Sequence, residues 1–197
     1  MNKKKTKNLV LMSLFIAIEV VMSNTPFLGF IPIGAIKATT LHIPVIIAGI
    51  VIGKKQGAFV GLIFGICSIL NNTLNPTISS FIFSPFISGS FFSAIIAIIP
   101  RVLIGYLTGA TYELLENKNQ TLGVLLGSFI GSMINTILVL AGIYLIFGVQ
   151  YASMLNMDIH TLLPYLLGII ATQGLIEALL GTIISLMTSK VLLKLYK

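Results

Sequence analysis

Residues 40–73 read TLHIPVIIAGIVIGKKQGAFVGLIFGICSILNNT. Two apolar runs meet at a gap that holds Lys54 and Lys55, and neither run carries another charge. A membrane-spanning helix needs about 20 largely apolar residues. Cations collect in the short loops on the cytoplasmic face. The stretch therefore reads as two membrane passes joined on the inside. The same pattern extends over the 197-residue chain. Lys3, Lys4, Lys5 and Lys7 precede the first run, Lys118 sits in a later gap, and Lys190, Lys194 and Lys197 close the chain. Of the 12 Lys and Arg residues, only Lys37 and Arg101 fall outside these places.

The composition agrees. Hydrophobic residues make up 56 % and charged residues 9 %, with a mean hydropathy of +1.05. A soluble domain carries about 25 % charged residues, so this chain has too little charge for a water-facing surface. The net charge of +7 is no nucleic-acid footprint, because the cations lie between spans and not along one face. Cys67 is the only cysteine, which excludes an internal disulfide and a thiolate metal cluster. The length suits one domain, 1–197. Met1–Lys7 and Leu9–Met22 resemble the first two regions of a secretory signal. No small-x-small cleavage site follows, since the chain continues Ser23-Asn24-Thr25-Pro26. An uncleaved first span is the expectation.

Hydropathy gives an all-α membrane protein with six spans, at roughly 8–24, 40–53, 56–73, 91–113, 121–147 and 164–190. The second is short, and Pro44 near its start allows an irregular beginning where protein covers the backbone. Six spans place both termini on one side, which the lysines mark as cytoplasmic. Asn24–Thr39, Asn71–Gly89 and Gly148–Leu163 then face outward. They carry turn formers at Pro26, Gly29, Pro32, Gly34, Asn75, Pro76, Pro85 and Pro164. Long outer segments with almost no charge suit a lid over an outward pocket; loops resting on the lipid surface are the blander reading.

Gly57, Gly61 and Gly65 fall four apart on the third span, and Gly123, Gly127 and Gly131 on the fifth. Small residues at this spacing let helix backbones approach closely. Both triplets begin at the inner end of a span, a hint of internal duplication that nothing else in the sequence extends.

Several chemistries are missing. There is no Gly-x-x-x-x-Gly-Lys-Ser/Thr loop and no Gly-x-Ser-x-Gly elbow. His42 and His160 lie far apart without an i,i+4 partner, so no metal site is expected. The polar groups inside the spans are Glu19, Arg101, Asn135, Gln173 and Glu177. An ionisable group in hydrocarbon costs about 2.5–3.5 kcal/mol on insertion scales, so it normally faces the interior or a cavity. At about 1.5 Å per residue, Arg101, Asn135, Gln173 and Glu177 lie roughly 14–20 Å below the outer ends of their helices. Gln173 and Glu177 share a face, and Asn135 continues the second glycine row. These four groups make either an internal Arg101–Glu177 ion pair or a solvated pocket for a small polar ligand. On the first span, Ser13 and Ala17 form a small-xxx-small step. Glu19 lies about 200° from Ala17 and points the other way.

Longer stretches bear a family likeness. Ile36-Lys37-Ala38-Thr39-Thr40-Leu41-His42-Ile43-Pro44-Val45-Ile46-Ile47 is followed by Gly53-Lys54-Lys55-Gln56-Gly57-Ala58, Phe83-Ser84-Pro85 and Pro100-Arg101-Val102-Leu103-Ile104-Gly105. The chain resembles the substrate-binding S components of energy-coupling factor transporters, the prokaryotic vitamin importers, and among them most the pantothenate type. The resemblance implies a six-helix capture subunit in a bacterial plasma membrane. It would dock on a transmembrane coupling (T) protein driven by two ABC ATPase subunits, and would need no cofactor of its own. The family's first helix offers Ala-x-x-x-Ala to the coupling protein, here Ser13 and Ala17. Its first outer loop, here Asn24–Thr39, closes over the ligand.

Arg101 is the one guanidinium, and arginine pairs with a carboxylate through two parallel hydrogen bonds. Pantothenate offers a carboxylate, an amide and hydroxyls. Arg101 is expected to take the carboxylate and Asn135, Gln173 and Glu177 the neutral groups, with His42 and Asn71 nearer the outer rim. Riboflavin lacks a carboxylate and needs a flat aromatic slot, a poorer fit in a chain without Trp. Pyridoxine-type and thiamine-precursor ligands remain alternatives. A stand-alone secondary transporter would need an ion-coupled path, for which Glu19 and Glu177 are the only deep acidic groups. A membrane enzyme would need a nucleophile–base or metal constellation, and none is present.

Overall fold

A computed structural model describes residues 3–25, 28–33 and 36–196. Pro26, Phe27 and Gly34, three of the expected lid residues, lie outside the described residues, as does Lys197. The chain runs α1 (Lys3–Asn24), β1 (Phe30–Ile33), β2 (Ile36–Thr39), α2 (His42–Val51), α3 (Lys54–Leu74), α4 (Pro85–Ser88), α5 (Phe91–Leu115), α6 (Gln120–Met154), α7 (Ile159–Ile169) and α8 (Leu175–Tyr196). Among the described residues, five stretches are long and apolar enough to cross a membrane, the last being α7 and α8 taken together. The short apolar α2 is the sixth helix of the bundle. This is an all-α membrane protein.

Four elements depart from the expected map. The second span shrinks to ten residues, about 15 Å long. Nearly all its residues are buried, as befits a helix that is apolar all round. The outer segment before it forms an antiparallel hairpin pairing Phe30 with Thr39 and Ile33 with Ile36. The fifth helix continues past its expected end at 147: Phe147 leaves helical geometry, but the helix resumes to Met154. The last span starts earlier than 164, because the Asp158 side chain accepts from the His160 amide and caps α7. Pro164 therefore sits inside a helix and marks no turn.

The glycine rows explain how the bundle is assembled around α5. A Cβ on Gly57 would come within 2.9 Å of the Gly105 carbonyl oxygen, one on Gly61 would overlap that of Arg101, and one on Gly65 would lie 2.9 Å from that of Ala97. The second row meets another face of the same helix. A Cβ on Gly127 would lie 2.9 Å from the Thr108 carbonyl oxygen, and one on Gly131 would overlap the Thr108 hydroxyl. Gly57, Gly61, Gly65 and Gly127 thus permit a backbone approach that a side chain would prevent, and Gly131 makes room for the Thr108 hydroxyl. At one end of the bundle the termini lie side by side, with Lys7 Nζ donating to the Leu195 carbonyl at 3.1 Å.

Candidate solute-binding site

The glycine packing carries Arg101 into the middle of the bundle, where it is 5 % exposed. Its neighbour in sequence then fixes its conformation. Pro100 stands inside α5 and has no N–H to donate to the carbonyl four residues back. That carbonyl belongs to Ile96, and Arg101 Nη1 donates to it at 2.8 Å. The guanidinium carbon also lies 5.4 Å from the centroid of the Phe64 ring and 5.1 Å from that of Phe83, above both. Arg101 Nε is buried without a hydrogen-bond partner. Among the described residues no ion pair joins Arg101 to Glu177; the carboxylate of Glu177 instead accepts from Gln173 Nε2 at 3.0 Å.

Beside the guanidinium is a cavity holding about 460 Å³ of atom-free space, part of it open to solvent. Arg101, Asn135, Gln173 and Glu177 all line it. Their similar depth in three spans groups these four in the sequence, and the fold brings them to one cavity. Asn135 Oδ1 is buried and unbonded, so it is available to a ligand donor. Gln173 and Gly174 belong to a π-helical stretch, Ile170–Gly174, that links α7 to α8. Such bulges rotate side chains off the regular helical register and recur at functional sites.

The other expected residues fall elsewhere. His42 is buried, lies close to the backbones of Thr39 and Glu177, and is not among the residues that line the cavity. Asn71 ties α3 to α1 by donating to the Ser23 carbonyl at 3.1 Å, away from the cavity. On α1, Ser13 and Ala17 are exposed, whereas Glu19 on the opposite side is fully buried. Ser13 Oγ turns back to the Leu9 carbonyl.

Sequence reasoning missed Thr39, Phe83 and Thr136, which also line the cavity. Thr39 ends the hairpin, and its hydroxyl accepts from the Leu41 amide and donates to the Gly29 carbonyl. Thr136 directly follows Asn135, so a hydroxyl beside a singled-out amide was the signal available.

A cavity inside a bundle of apolar spans, lined by a buried guanidinium with an unbonded Nε and by amide groups among apolar side chains, defines a membrane protein that handles a small solute with polar groups. Residues 7–189 match the family of ECF transporter substrate-specific components. The chain belongs to that family and is a multi-pass protein of the bacterial plasma membrane that serves transport, not catalysis. It is 39 % identical over 193 residues to the pantothenic acid transporter PanT of Lactococcus lactis, covering 94 % of this chain and 93 % of that one. It is 32 % identical over 194 residues to the pantothenate transporter PanT of Leuconostoc mesenteroides, covering 93 % and 91 %.

Proposed function

We propose that this chain, acting as one unit over residues 1–197, captures pantothenate on the outer side of the membrane for ATP-driven import. The observation that carries the reading is the buried Arg101 guanidinium, which lines the cavity with its Nε unbonded and, among the described residues, without a carboxylate partner. A buried cation is costly unless paired, and a ligand carboxylate supplies the pair through two parallel bonds. The free Asn135 oxygen suits a hydroxyl or amide donor, and the Gln173–Glu177 pair offers both donors and acceptors. The names of the two relatives support the same vitamin.

Both termini and the Lys54–Lys55 loop face the cytoplasm on this reading, because that is where cations collect. The hairpin Phe30–Thr39 then lies on the outer side and contributes Thr39 to the cavity. The exposed Ser13–Ala17 step offers a flat strip for close approach of a partner helix, the T protein of a complex with two ABC ATPase subunits. Small-molecule mass spectrometry of the purified protein, followed by direct titration, tests the ligand. Retained pantothenate and saturable binding are expected; a different retained vitamin would replace this assignment.

A further inference from the structure

Two outer segments reach the Arg101 guanidinium through aromatic rings. From the hairpin, the Phe30 ring lies 6.5 Å from that of Phe64, which in turn lies under Arg101. From the segment after α3, Phe83 meets Arg101 directly and lines the cavity. Phe83 is held firmly on both sides. Ser80 Oγ donates to Asn72 Oδ1 at 2.9 Å, and the Ser84 and Thr73 hydroxyls lie 2.7 Å apart. The neighbouring Phe81 ring packs edge-on against Phe147 at 5.7 Å.

An aromatic ring attracts a cation through its face and excludes water from it. A guanidinium covered in this way donates hydrogen bonds only from its edge, in its own plane. We propose that Phe83 is a positioning residue that makes the site select a carboxylate over a neutral group, by holding the Arg101 edge toward the ligand. The proposal rests on the reading of the cavity as the pantothenate site. It adds a residue from the segment after α3 to the selection of the anion. A ring that only filled space would favour every ligand of the same shape alike.

The experiment compares pantothenate with pantothenol, its neutral alcohol analogue, by titration of the detergent-purified protein. Phe83→Leu is expected to weaken pantothenate about tenfold, the scale of a desolvated cation–ring contact, and pantothenol less than twofold. Phe83→Tyr keeps a ring and is expected to stay within about threefold of the unaltered protein for both ligands. Equal losses for the two ligands, or no loss, would overturn the proposal. A ligand-free arm separates it from the choice of vitamin. Phe83→Leu is melted in the unaltered protein and in Arg101→Gln and Arg101→Lys backgrounds. The drop in Tm should shrink by at least about half in Arg101→Gln and less in Arg101→Lys, the signature of coupled neighbours. Equal drops in all three would overturn the proposal. If the unaltered protein binds neither ligand, the pantothenate reading fails and this thermal cycle alone decides the role of Phe83.

Discussion

Arg101 Nη1 donates a 2.8 Å hydrogen bond to the carbonyl oxygen of Ile96, the acceptor that Pro100 leaves without its helical donor. Pro100 and Arg101 therefore act as one device. The proline frees a carbonyl inside a membrane helix, where an unsatisfied polar group is costly, and the next residue, which also lines the cavity, satisfies it.

Replacing Pro100 by alanine restores an amide that competes for the Ile96 carbonyl. A proline in a helix interior costs about 3 kcal/mol relative to alanine, so Pro100→Ala is expected to raise Tm. The released guanidinium loses its fixed direction, and pantothenate affinity should fall about three- to tenfold, or by roughly 1 kcal/mol. Titration beside a melting curve checks both. Undiminished affinity would show that the Ile96 bond does not orient Arg101.

Gly61→Ala puts a Cβ against the backbone of α5 at Arg101. Backbone cannot swing aside as a side chain does, so α3 and α5 must part, at a cost of about 1–3 kcal/mol. Gly168 has open space around it, and Gly168→Ala should leave Tm unchanged or raise it slightly. Equal thermal shifts for the two would mean that the glycine row does not set helix spacing.

These two predictions rest on features with different sequence signals. The glycine rows were legible because close packing needs a small residue each turn, and the spacing alone displays it. Arg101, Asn135, Gln173 and Glu177 were legible because hydrocarbon makes any polar group in a span conspicuous. Phe83 entered only within the family stretch Phe83-Ser84-Pro85, and nothing in that stretch says that its ring lies on a guanidinium. The Ile96 carbonyl is backbone and has no letter in the sequence. The continuation of α6 beyond Phe147 was hidden because hydropathy reports where a span ends, whereas backbone hydrogen bonding decides where a helix does. His42 and Asn71 were grouped with the site by their nearness to the outer rim, a measure of depth that says nothing about which way a side chain faces.

Ser13 and Ala17 are exposed on α1 while Glu19 is buried on its other side. Ala17→Leu adds bulk where only a partner helix would meet it. Pantothenate binding by the isolated protein should stay within about twofold, whereas uptake by cells carrying the whole transporter should fall at least about tenfold. Loss of binding in the isolated protein would place this face inside the working fold.

The hairpin supplies Thr39 to the cavity and Phe30 to the ring chain on Arg101. Amide hydrogen exchange over residues 28–40 should slow at saturating pantothenate, because closure protects the backbone from local opening. Exchange that stays the same with the site full would rule out a role for the hairpin in closure.

The central claim is that Arg101 receives the carboxylate of the vitamin, and titration of Arg101 variants with pantothenate tests it most directly. Arg101→Lys keeps the charge but loses the two-pronged geometry, and affinity should drop at least about tenfold. Arg101→Ala should abolish measurable binding while the protein still elutes as a folded species, and Glu177→Gln, which leaves the cation in place, should retain binding. A folded Arg101→Ala protein that binds pantothenate as tightly as the unaltered chain would contradict the account.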